Sequence, residues 1–184
     1  MEGIEQRAEL FLSGVPSYIW DGASLPVPIE DIADSHVGLL VRDVEDLSAA
    51  PGAPALGAGQ ALSGLFLPDR GEIWVNAEEA REWPPRRRFT IAHELGHWQL
   101  HRHGGQGVFC RSSAVDADDA TPNADAREQP AEPEEEANVF AAAVLMPAEL
   151  IREQYEACDK DFARLCRRFE SSGAAMGRRL HAVI

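Results

Sequence analysis

The sequence predicts an α+β fold: a small antiparallel or mixed sheet packed on a helix that carries His93-Glu94-Leu95-Gly96-His97 and on a second, ligand-bearing helix. Two further helices in helix-turn-helix spacing are expected at the C-terminal end. Three observations carry this reading. Two short β-rich runs, 62–67 and 72–76, flank the turn-forming Pro68-Asp69-Arg70-Gly71. Phe89, Ile91, Ala92, Leu95, Trp98 and Leu100 surround the two histidines with apolar side chains, as in a helix largely buried in a core. Helical periodicity then resumes after residue 133, with Ala137, Phe140, Ala141, Val144 and Leu145 on one face.

Taken in order, residues 2–13 form an amphipathic helix through Ile4, Ala8, Phe11 and Leu12, closed off by Pro16. A short helix over 29–35 precedes a strand over 37–41, and the Ala-, Gly- and Pro-rich stretch 48–60 is a loop. The 62–67 and 72–76 runs pair as a hairpin. The histidine helix runs over 85–101 and ends at Gly104-Gly105. Residues 112–133 are acidic, contain proline and hold almost no large apolar side chain, the composition of a mobile loop. A helix over 134–145 is interrupted by Pro147, which starts another. Helices over 162–169 and 174–183 follow, with Ser171-Ser172-Gly173 between them. The expected organisation is one domain over 1–155 with a helical hairpin, 156–184, packed on it.

A chain of 184 residues fills one domain and is too short for two full ones. No apolar run is long enough to cross a bilayer, and the start lacks the basic and apolar segments of a secretory signal, so a cytoplasmic location is expected. The cysteines Cys110, Cys158 and Cys166 show no CxxC spacing and suit reduced thiols. A formal net charge of −14 opposes general affinity for nucleic acid. The C-terminal arginines Arg164, Arg167, Arg168, Arg178 and Arg179 raise the rival of a DNA-reading module, which the overall acidity counters.

The HExxH run is the chemically specific feature. Residues four apart share a helix face, so the imidazoles of His93 and His97 can reach one ion, and zinc is the metal such a pair suits. Glu94 lies about 100° round the helix. From there its carboxylate can accept a proton from an attacking water rather than ligate the metal. The third ligand must come from elsewhere. His103 has the spacing of a three-histidine pattern, but that pattern needs a helix-breaking Gly where Leu100 stands. His101 is four residues past His97, one turn further along a rigid rod. The acidic start of the second helix is the better source. Glu134 and Asn138 share a face, so one can ligate while the other hydrogen-bonds a ligand histidine. Glu136 shares its face with Phe140 and is the less suited alternative.

The run Arg86-Arg87-Arg88-Phe89-Thr90-Ile91-Ala92-His93-Glu94-Leu95-Gly96-His97-Trp98-Gln99-Leu100-His101, with Glu136-Ala137-Asn138-Val139-Phe140-Ala141-Ala142 and Leu145-Met146-Pro147 after it, resembles the ImmA/IrrE family of metallo-endopeptidases. The resemblance extends to Pro28-Ile29-Glu30-Asp31-Ile32-Ala33, Leu62-Ser63-Gly64 and Ile73-Trp74-Val75-Asn76, and to the terminal helices. The acidic segment is the main departure. The resemblance implies a zincin-like, thermolysin-related core and an intracellular enzyme. It also implies a protein substrate, an Xre-type DNA-binding repressor or a partner antitoxin, supplied as a separate chain.

The expected site is therefore Zn²⁺ on His93, His97 and Glu134 with Glu94 as the catalytic base. An extended substrate is expected to pair with a free edge of the 62–76 hairpin. His101, His103 and His181 are candidates for oxyanion stabilisation, each also readable as an ordinary surface or core histidine. The non-enzymatic alternative is a regulatory or toxin-like binding protein with a structural zinc.

Overall fold

The computed structural model describes residues 2–50, 53, 60–101, 109–114 and 133–184. Helix α1, Glu2–Ser13, buries Ile4, Ala8, Phe11 and Leu12, the side chains spaced for one helical face. Helix α2, Ile29–Asp31, continues directly into a π-helical turn, Ile32–Val37. That turn runs two residues past the sequence-predicted end. Gly38 stops it in the left-handed region at φ 80, where its N–H donates to the Ala33 and Asp34 carbonyls. Strand β1 is displaced accordingly to Leu40–Val44, three residues later than the 37–41 run suggests. The apolar Leu39 is buried as a helix-to-strand plug rather than as part of the ladder.

A 3₁₀ turn, Leu47–Ala49, is capped by Asp46, whose carboxylate accepts from the Ser48 N–H. Strands β2, Gln60–Leu67, and β3, Glu72–Asn76, form the antiparallel hairpin that the Pro68-Asp69-Arg70-Gly71 turn predicts, with Gly71 at φ 62. Among the described residues the sheet has four strands in the order β1-β3-β2-β4, with β1 parallel to β3. Strand β4, Phe109–Ala114, pairs antiparallel with β2. It corrects the sequence reading twice. The loop assigned to 112–133 begins inside a strand, and both hairpin strands are internal, so no hairpin edge is free. The outer edge of β4 is open among the described residues instead. Residues 115–132, and Gly104-Gly105, lie outside the described residues.

The two faces of the sheet are covered differently. Ile73, Val75 and Phe66 point into the main apolar cluster beneath the histidine helix, while Leu65, Leu67 and Leu62 pack with Leu47 and Ala50 on the other side. A bulge between Leu62 and Gly64 explains why Leu62 joins Leu65 and Leu67. It shifts the strand's alternation by one residue.

Helix α3, Ala77–Glu82, was not expected. Its signals are Asn76, whose side chain accepts from the Glu78 and Glu79 N–H groups, and the acidic first turn. Helix α4, Pro84–His101, lies across β2, β3 and β4, and helix α5, Pro133–Leu145, packs closely on α4. α1 covers α5 in turn. Helix α6, Ala148–Ala157, follows Pro147, and helices α7, Phe162–Phe169, and α8, Gly173–Val183, are N-capped by Asp161 and Ser172. Leu165, Phe169 and Met176 from these last helices belong to the same apolar cluster as Ile91, Leu95 and Phe140. Arg179, 4% exposed, fastens α8 down. Its guanidinium grips the Glu5 carboxylate of α1 through two nitrogens, and its Nε donates to the Met146 carbonyl at 2.8 Å. No helix among the described residues is long and apolar enough to cross a membrane.

Candidate metal centre

Helix α4 begins with Pro84 and Pro85, tolerated in a first turn whose N–H groups have no intrahelical partner. Its start is tied to two other elements by Arg87. Arg87 Nη1 and Nη2 donate to the Glu30 carboxylate at 2.6 and 3.0 Å, and Nε donates to Asp43 Oδ1 at 2.9 Å. The second half then enters the interior: every residue from Thr90 to His97 is buried. Burying two imidazoles and a carboxylate costs several kcal/mol unless partners meet them. The structure supplies such partners.

Two glycines let neighbouring elements come close to this turn. At Gly96, an added Cβ would stand 3.2 Å from both Cα and O of Ala137 and 3.3 Å from Phe140 Cδ1, so the missing side chain sets the approach of α5. At Gly64 on β2, a Cβ would stand 2.3 Å from Thr90 Cγ2 and 3.2 Å from Glu94 Oε1. The helix is thus pressed between α5 and the sheet.

The approach of α5 delivers Glu134, in its first turn, to the two histidines. Its carboxylate oxygens lie 3.2 Å from His93 Nε2 and 3.1 Å from His97 Nε2, and the two Nε2 atoms are 3.0 Å apart. Among the described residues, these three side chains are the set of His, Cys, Asp or Glu whose ligand atoms all fall within 4.8 Å of one another. One turn further on, Asn138 Oδ1 accepts from His93 Nδ1 at 3.0 Å. That bond places the ring proton on Nδ1 and leaves Nε2 as a lone pair directed at Glu134 and His97. Electron pairs that converge this closely repel unless a cation lies among them. The donor set, two neutral imidazole nitrogens and one carboxylate, is that of a divalent metal with an open position. Half-burial works against ionising Glu134, but in the metal-free site imidazoles protonated at Nε2 hydrogen-bond the carboxylate and add their charge, which outweighs it and holds the carboxyl at about 2. The ligand-competent anion is therefore the stable form at neutral pH.

Glu136 is not brought to this group. It lies 3.5 Å from His101 Nε2, on the next turn of α4. His101 stacks beside His97 with ring centroids 5.7 Å apart. His181 is exposed on α8, and His103 and the side chain of Cys110 lie outside the described residues. Cys158 is buried and Cys166 half-buried, both as free thiols, and burial raises the pKa of Cys166. Glu94 is fully buried between α4 and β2. Gly64 and Gly96 are the site residues that sequence reasoning passed over. Their signal, a glycine inside an otherwise regular strand or helix, was present.

An α+β core that buries HExxH against a glutamate-bearing helix defines a class of metallopeptidase-like protein. This chain belongs to the IrrE N-terminal-like domain family (Peptidase M78), whose model matches residues 55–181. Among solved structures it is similar to a Mycobacterium tuberculosis transcriptional regulator, at 21% identity and a TM-score of 0.56. The similarity covers 98% of this chain and 47% of that one, so the chain spans about half the length of the solved relative. At that identity the likeness concerns the fold. A search of curated proteins gives no match.

Proposed function

We propose that the chain is a zinc-dependent endopeptidase in which His93, His97 and Glu134 hold the metal and Glu94 is the catalytic base. The observation that carries this is the convergence of three ligand atoms within 4.8 Å beside a fully buried Glu94. A zinc ion held there supplies a Lewis acid that polarises the scissile carbonyl and acidifies the attacking water. The Glu94 carboxylate takes a proton from that water and passes it to the leaving amine. Asn138 keeps His93 in the tautomer that ligates. The outer edge of β4, open among the described residues, is where an extended substrate segment adds as a further strand.

The substrate we infer is a specific protein, an Xre-type repressor or a partner antitoxin, acted on in the cytoplasm. Family membership and the solved relative, a transcriptional regulator, support a setting in gene control. The test is cleavage of the candidate repressor by zinc-loaded protein. Glu94→Gln is expected to keep one zinc and lose cleavage, and cleavage at the wild-type rate would remove Glu94 from the mechanism. Zinc content separates the ligands: Glu134→Ala loses metal and Glu136→Ala keeps it. The reverse pattern would move the third ligand to Glu136.

A further inference from the structure

Gly64 stands where a bulge breaks the register of β2, pairing with Val75 of β3 on one side and Arg111 of edge strand β4 on the other. It is therefore one strand in from β4, the outermost strand on that side among the described residues. Bulges next to functional sites commonly re-aim what the strand presents. Here the strand presents the absence of a side chain. Thr90 and Glu94, four residues apart on α4, face that gap, and both are fully buried. The two would respond differently to a methyl group at position 64. Thr90 Cγ2, at 2.3 Å, belongs to a β-branched side chain that is stiff at χ1 and cannot swing away. Glu94 Oε1, at 3.2 Å, is the far end of a flexible side chain, and it is the atom that would yield.

We infer that Gly64 is a positioning residue: its bare Cα fixes where the Glu94 carboxylate sits between the metal-binding helix and the substrate-pairing edge of the sheet. This rests on the zinc-peptidase reading for its catalytic consequence, though not for the geometry itself. No proposed metal ligand is among the three atoms nearest to the added methyl, so zinc binding and base placement can be read separately.

The single Gly64→Ala variant combines the Thr90 clash with the Glu94 contact and can fail to fold. The informative variant is Gly64→Ala/Thr90→Ser, because serine lacks Cγ2 and leaves only the contacts of the new methyl with Glu94 Oε1 at 3.2 Å and the Trp74 carbonyl oxygen at 3.3 Å, of which the flexible carboxylate is the one that can move. It is compared with Thr90→Ser alone. We expect both to bind one zinc with affinities within about twofold. We expect kcat to fall about tenfold or more in the double variant, with KM nearly unchanged, since displacing a reacting group by well under 1 Å is enough for such a loss. The ¹³C resonance of the Glu94 side-chain carboxylate in metal-free protein should shift between the two variants.

An unmoved resonance, or a kcat equal to that of Thr90→Ser, overturns the inference. Loss of zinc in parallel with activity also overturns it, by making Gly64 a general packing residue. If the wild-type protein cleaves nothing, the peptidase reading fails instead. The carboxylate resonance then still decides whether Gly64 places Glu94.

Discussion

Gly96 and Gly177 are both interior helical glycines, and the structure predicts opposite outcomes for the same substitution. In a helix, Gly→Ala gains about 1 kcal/mol from backbone entropy. Nothing lies within 4 Å of a Cβ at Gly177, so Gly177→Ala should stabilise the protein by close to that amount. At Gly96 the new methyl meets Ala137 Cα and O at 3.2 Å and Phe140 Cδ1 at 3.3 Å. Ordinary carbon contacts are about 3.5–4.0 Å. Two of the three atoms are backbone, which cannot rotate away, so α5 must retreat by a few tenths of an ångström. Overpacking of this kind costs about 1–3 kcal/mol. Set against the helical gain, Gly96→Ala should be destabilising by about 0–2 kcal/mol and should lie about 1–3 kcal/mol below Gly177→Ala. The retreat also draws Glu134 from His93 and His97, so zinc affinity should fall about tenfold. Urea unfolding of the metal-free proteins and chelator competition measure the two effects. A Gly96→Ala protein as stable as Gly177→Ala, with unchanged zinc affinity, would refute the claim that Gly96 sets the helix spacing.

Asn138→Leu removes the acceptor that orients His93 and should weaken zinc binding about 10- to 100-fold while leaving the melting temperature of the metal-free protein little changed; chelator competition with calorimetry reads both. Arg179→Ala leaves Glu5 and the Met146 carbonyl without a buried partner and should cost about 3–5 kcal/mol, seen as a large drop in the urea midpoint. The Arg87 hydrogen bonds hold the Glu30 carboxyl below its ordinary 4.5, against the opposing effect of burial. Because the folded pKa is depressed, this stabilisation is full above the unfolded value and is lost as pH falls from about 4.5 through the folded one. Glu30 is half-exposed, so Glu30→Gln should lower stability at pH 7 by no more than about 1 kcal/mol. The difference from wild type should vanish at strongly acidic pH, and a constant difference across that range would count against the ion pair.

Wherever local chemistry decides, the chain could be read directly. Proline and glycine at 68–71 made the hairpin, Pro147 separated two helices, and a serine of Ser171-Ser172-Gly173 capped the last one. The four-residue spacing of His93 and His97 put both rings on one face, and that of Glu134 and Asn138 did the same on α5, because helix geometry depends only on separation along the chain. Elements whose ends are set by partners were harder to place. β1 slid by three residues because its position follows from pairing with β3 and from the Gly38 stop, while Leu39, buried in the core, packs outside the strand. β4 escaped notice because its pairing partner lies some fifty residues away in the chain.

By itself, then, the sequence placed two imidazoles and a carboxylate on one helical turn, with acidic candidates for a further ligand on a second helix. Only the tertiary structure brought one of those acidic residues to the histidines. Glu134 reaches both Nε2 atoms while Glu136 turns to His101, a difference of about 200° around α5 that matters only once α4 and α5 are docked. The docking distance is set by Gly96, and the seat of Glu94 by Gly64, two positions whose effect comes from atoms they lack. A missing side chain acts through what approaches it across space, and no pattern along the chain records that approach.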